Sequence, residues 1–101
     1  MSGERYQVFM APSAHRRYKK LDPVLKQQIK EEANKLSEDP HRYEELKGPL
    51  RAIRSYHFEY RRTQYRIAYR ILEDKKQIEV LLVKSREGFY HTLRRIIKST
   101  P

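Results

Sequence analysis

The sequence predicts an α+β domain in the order β-α-α-β-β-β-α, with helices packed against a small, mostly antiparallel sheet. Three patterns predict it. Between Arg51 and Arg70, two stretches alternate apolar and polar residues, as strands with one buried face do. The run Ile78–Val83 (IEVLLV) is apolar on both faces apart from Glu79, which suits a strand inside a sheet. Three other segments space their apolar residues at helical intervals.

Residues 5–10 (RYQVFM) are expected to form the first strand, and Ala11-Pro12-Ser13 a stop and restart. Ser13 is a candidate cap for a helix whose Ala14, Tyr18 and Leu21 share a face. Asp22-Pro23 opens a second helix, since Asp suits the cap and Pro at the first helical position loses no needed hydrogen bond. Its apolar stripe is Val24, Leu25, Ile29, Ala33 and Leu36; Lys26, Lys30, Glu31, Glu32 and Lys35 face elsewhere, with Glu31 spaced to pair with Lys35. It should end before Asp39-Pro40, and residues 41–49 are then a link that turns at Gly48-Pro49. In the next strand Ala52, Tyr56, Phe58 and Tyr60 share one face and Ser55, His57 and Glu59 the other. Arg54 falls on the apolar side, so that strand is expected to start after it or bend there. Arg61, Arg62 and Thr63 form the hairpin turn. The second hairpin strand sends Tyr65, Ile67, Tyr69 and Ile71 one way and Gln64, Arg66, Ala68 and Arg70 the other. Residues 73–76 make a polar turn, and the central strand runs out at Lys84-Ser85-Arg86. After Gly88, Phe89, Leu93, Ile96 and Ile97 line a last helix, with Arg94, Arg95 and Lys98 outward.

The chain has 101 residues, enough for one domain (1–101) with a modest core. A net charge of +10 and a pI near 10.0 call for an acidic partner. With no cysteine, thiolate zinc sites and disulfide scaffolds are excluded. The start MSGERYQVF has no apolar leader core and no run has membrane-spanning length, so a cytoplasmic protein is expected, with no membrane partner. Scattered histidines without clustered carboxylates offer no metal site, and no phosphate loop or nucleophile motif is present; no cofactor is expected.

Chemistry concentrates in the hairpin. Residues 51–70 hold six arginines and four tyrosines against one acid, Glu59. Guanidinium groups stay charged and bind phosphate bidentately. His57 is the group on the polar face that titrates near neutrality, a candidate acid or base. Glu59 is expected to pair with a cross-strand arginine.

In this order and spacing, Leu46-Lys47-Gly48, Tyr65-Arg66-Ile67-Ala68-Tyr69 and Arg86-Glu87-Gly88-Phe89-Tyr90 resemble the RelE/ParE toxin superfamily of bacterial toxin–antitoxin systems over nearly the whole chain. The resemblance implies a RelE-like fold and an acidic antitoxin partner. It implies one of two activities: metal-independent mRNA cleavage on the ribosome (RelE-like, the favoured branch), or inhibition of DNA gyrase (ParE-like). A toxin fold that binds without chemistry is a further alternative. In the RelE-like branch, catalytic positions fall on Arg66, Arg86 and Tyr90, with His57 added from its chemistry. Arg54, Arg61, Arg62, Arg70 and Lys84 are then expected to hold RNA backbone. Two lysines that this branch can carry on the preceding strand correspond here to His57 and Glu59.

Overall fold

The computed structural model describes residues 5–98, so the start of the N-terminal stretch discussed above lies outside the described residues. Its elements are β1 (Gln7–Met10), α1 (Pro12–Lys19), α2 (Pro23–Glu38), β2 (Glu44–Glu45), β3 (Arg54–Tyr60), β4 (Thr63–Leu72), β5 (Gln77–Ser85) and α3 (Phe89–Lys98). The sheet order is β1-β5-β4-β3-β2, with β1 parallel to β5 and the other pairs antiparallel. The expected order therefore holds, with one addition. The expected link 41–49 contains β2, a two-residue edge strand pairing Glu44 with Ser55 and Glu45 with Arg54, between short 3-10 turns.

Each face of the sheet has its own core. On one, α1 and α2 place Ala14, Leu25, Ile29 and Leu36 against Tyr56, Phe58, Ile67, Tyr69, Ile78, Val80 and Val83. On the other, Phe89 and Leu93 of α3 meet Leu46, Leu50, Ile53, Ala68, Leu81 and Leu82. Each large apolar side chain so buried contributes about 1.5–3 kcal/mol. The doubly apolar β5 follows from this sandwiching. A register shift at Ala68/Tyr69, where Ala68 faces Leu82 and Tyr69 faces Val80, bulges β5 and leaves Leu81 and Leu82 together in the α3 core.

The local departures have physical causes. Pro12 sits at the head of α1, and no side chain caps it, so Ser13 is not the cap. Asp22 does cap α2, accepting from the Leu25 N–H at 2.9 Å. Val24 is 57% exposed and falls off the expected stripe. Glu32, expected outward, is buried because it accepts hydrogen bonds from the Tyr56 hydroxyl and the Gln28 amide, both at 2.5 Å, and it, not Glu31, pairs with Lys35. Ala52 lies in the turn before β3, with φ 75, and Ile53 takes the buried place instead.

Thr63 is the first residue of β4, pairing with Tyr60, so the hairpin turn is Arg61-Arg62 alone. Both have left-handed backbone, φ 50 and 67, as a primed two-residue turn requires. Asn-Gly accommodates that geometry easily; a residue with a full side chain costs about 1 kcal/mol or more at each position. Gly88 (φ 67) turns the chain from β5 into α3, a conformation glycine adopts freely.

Candidate active site

The antiparallel register sets the site. On the sheet face that carries α3, His57 of β3 is the cross-strand partner of Arg66 of β4, and Arg66 is the partner of Lys84 of β5. Partners across antiparallel strands hold their Cβ atoms about 5 Å apart, so imidazole, guanidinium and ammonium start from one row. α3 brings Tyr90 to the middle of this row. The Tyr90 hydroxyl accepts a hydrogen bond from Arg66 Nη1 at 2.5 Å, and the Tyr90 ring lies 5.1 Å from the guanidinium carbon. Tyr90 is fixed in turn by the Phe89 ring, edge-on at 5.3 Å, and Phe89 is anchored in the α3 core.

The electrostatics give these groups different parts. Because Tyr90 accepts from Arg66, its own O–H proton is free to be donated elsewhere. Arg66 Nε is buried and makes no hydrogen bond, leaving a charged donor without an acceptor. His57 is exposed, yet partial desolvation against the sheet face, and secondarily the Arg66 charge, holds it below the usual histidine range, while Glu44 pulls it upward. At neutral pH His57 is therefore the free base, able to accept a proton. Lys84 Nζ donates to the Glu87 carbonyl at 2.5 Å, which ties it to the turn leading into α3.

Arg86 lies one pleat further along, its N–H bonded to the Gln64 carbonyl at 2.9 Å and its side chain exposed. Gln64 is also the partner of Glu59, so Glu59, Gln64 and Arg86 form a second row about 7 Å from the first. Glu59 thus faces a glutamine, and among the described residues it forms no ion pair with an arginine. Arg61 and Arg62 are exposed at the hairpin tip beyond, Arg61 lying over the Tyr60 ring at 5.1 Å.

Two expected RNA contacts are held elsewhere. Arg54 Nη1 donates to the carbonyls of His41 (2.9 Å) and Tyr43 (2.7 Å), which fastens the link to β3; this is why the strand includes an arginine on its apolar side. Arg70 pairs with Glu79 across β4 and β5 at 2.7 Å. Both guanidinium groups are engaged in holding the fold.

A group of cations on α1 carries no motif that marks it as functional in the sequence. Arg16, Arg17, Lys19 and Lys20 join Lys84, Ser85 and Tyr65 in lining an open groove of about 870 Å³, and among the described residues these four make no ion pair. The run His15-Arg16-Arg17-Tyr18-Lys19-Lys20 was the available signal. Lys84 lines this groove as well as the row. Among the described residues no group of three or more His, Asp or Glu is arranged to hold a metal ion, and no helix is long and apolar enough to cross a membrane.

This fold defines a class: the RelE/ParE toxins. The chain is similar to the structure of the RelBE2 toxin–antitoxin complex from Mycobacterium tuberculosis, with a TM-score of 0.72 and 29% identity over 82% of this chain and 100% of that one. It is similar also to the isolated Escherichia coli RelE toxin (TM-score 0.62, 25% identity, 90% of this chain and 98% of that one). The archaeal RelE–RelB complex of Pyrococcus horikoshii shares the fold (TM-score 0.56, 20% identity, 82% and 97%). No curated protein sequence matches. Residues 8–94 match the family described as ParE-like toxin of type II bacterial toxin–antitoxin system. The chain belongs to that family and is the toxin of a toxin–antitoxin module.

Proposed function

We propose that this toxin cleaves mRNA on the ribosome without a metal ion, and that its catalytic groups are His57, Arg66, Lys84 and Tyr90, assisted by Arg86. The carrying observation is Arg66: flanked by His57 and Lys84, bonded to the Tyr90 hydroxyl, and with a buried Nε that lacks an acceptor. A phosphate meets the charge of this guanidinium and not the buried Nε itself.

The reaction these groups fit is transfer of the phosphoryl group within the RNA. Neutral His57 takes the 2′-OH proton as that oxygen attacks the neighbouring phosphorus. Arg66 and Lys84, fixed in advance, balance the charge building on the phosphate, often the largest contribution to such catalysis. The bond from phosphorus to the 5′ oxygen breaks, and Tyr90 protonates the leaving oxygen. The products are a 2′,3′-cyclic phosphate and a 5′-hydroxyl end. Lys84 supplies from β5 an ammonium that β3 lacks, where His57 and Glu59 stand. The α1 groove offers a continuation for the RNA backbone past Lys84, and an acidic antitoxin neutralises the same surface.

Incubating the purified toxin with mRNA-programmed ribosomes tests this. Wild type should yield cyclic-phosphate ends within codons, and Lys84→Ala should reduce them at least about a hundredfold. Intact mRNA would reject the reading. Inhibition of DNA gyrase is the second reading, with the ParE-like match in its support.

A further inference from the structure

From the hairpin tip we infer a second function for the β3–β4 turn: Arg61 and Arg62 form a phosphate clamp that grips the RNA backbone away from the scissile bond. This deepens the proposed RNA-cleaving reading and rests on it.

Three observations carry the inference. The turn is of the primed two-residue kind, yet both its left-handed positions hold arginine where Asn-Gly would relieve the strain. Neither side chain pairs with an acid among the described residues: both are exposed, and Arg61 lies over the Tyr60 ring. The tip also lies in line with the site. Arg62 is four residues from Arg66 along the hairpin, about 13 Å, and Arg86 stands between them opposite Gln64. Cations thus recur along one track, Lys84 and Arg66, then Arg86, then Arg61 and Arg62. A nucleic-acid strand, charged at every residue, matches such a track. The Tyr60–Thr63 pair closes the turn, so the ladder sets the backbone from which both guanidinium groups start. Glu59, exposed in the middle row, is an acid beside the track and opposes it.

The test is equilibrium binding to a fluorescein-labelled 12-nucleotide RNA made uncleavable by 2′-O-methylation, measured against salt concentration. Wild type is compared with Arg61→Asn/Arg62→Gly, Arg61→Lys/Arg62→Lys and Arg66→Gln. The Asn-Gly variant should melt about 4 °C or more above wild type, so misfolding cannot account for its loss of binding. Its slope of log K against log[salt] should be shallower by about 1.4, the share of two phosphate contacts on a single strand. The dilysine variant should keep the wild-type slope. An unchanged slope in the Asn-Gly variant, with Arg66→Gln still weakened, overturns the clamp and leaves the site reading standing. Wild-type binding with no salt dependence overturns both. If the Asn-Gly variant weakens binding of a 12-residue polyglutamate peptide while its RNA slope is unchanged, the arginines serve an acidic protein and the clamp is overturned.

Discussion

Replacing Tyr90 with phenylalanine removes one oxygen and leaves almost everything else in place. The ring still lies 5.1 Å from the Arg66 guanidinium and still meets Phe89 edge-on. What disappears is the acceptor of the 2.5 Å bond from Arg66 Nη1 and the proton that the proposed reaction delivers to the leaving oxygen. A hydrogen bond to a charged group is worth about 1.5–3 kcal/mol, but Arg66 and Tyr90 are only half-buried. Water can replace the lost acceptor, so the stability cost should fall to about 1 kcal/mol, or about 4–8 °C in Tm for a domain of this size. The chemical cost is separate and larger. Loss of a positioned general acid reduces rate by about 10²–10⁴-fold, equivalent to about 3–5 kcal/mol of barrier. The assay is single-turnover cleavage on programmed ribosomes, with thermal melting of the same samples. A rate within about threefold of wild type would refute the assignment of the proton to Tyr90. So would a large rate loss matched by loss of folding, since the hydroxyl would then be serving packing.

Other consequences follow from the same contacts. Arg66→Gln should raise the pKa of His57, followed by NMR, though not fully to its ordinary value, because partial desolvation is the larger cause and remains. The sign for stability is also set. The unfolded chain binds the His57 proton more readily than the folded one, so this group's contribution is complete above about pH 6.5 and is lost as pH falls through the lowered value. His57→Gln should flatten that part of the stability–pH curve in denaturant titrations. Arg54→Ala should lower stability by about 2–3 kcal/mol, since the carbonyls of His41 and Tyr43 lose a charged donor, while cleavage per folded molecule stays unchanged. Glu32→Ala should cost about 1–3 kcal/mol by stranding the Tyr56 hydroxyl in the core, and Glu32→Gln distinctly less, both read from urea midpoints.

Much of the fold is legible because its determinants are local. Alternation along 54–60 and 63–72, the Asp22-Pro23 start of α2 and the doubly apolar β5 each declare their element within a few residues. The site is legible as far as alternation reaches, which puts His57 and Arg66 on one polar face. Alternation does not give register. Only the β4–β5 pairing reveals that Lys84 stands directly beside Arg66 while Arg86 stands one pleat away. Arg54 stands out in sequence only as an arginine on an apolar face, and Arg70 looks like any other polar-face arginine; the engagement of both depends on carbonyls and a carboxylate that folding brings to them. Glu32 looks like any helix-surface acid until Tyr56 arrives across the α2–β3 interface. β2 is too short to carry a period and exists because β3 offers it an edge.

The most direct test of the central claim is made in cells. The wild-type toxin is induced, an abundant transcript is mapped by primer extension, and plasmid supercoiling is followed in the same cultures. Cuts inside translated codons, with supercoiling unaltered, are the result expected of a ribosome-bound nuclease built on His57, Arg66, Lys84 and Tyr90. Growth arrest with intact transcripts and altered supercoiling would contradict it and make this toxin a gyrase inhibitor.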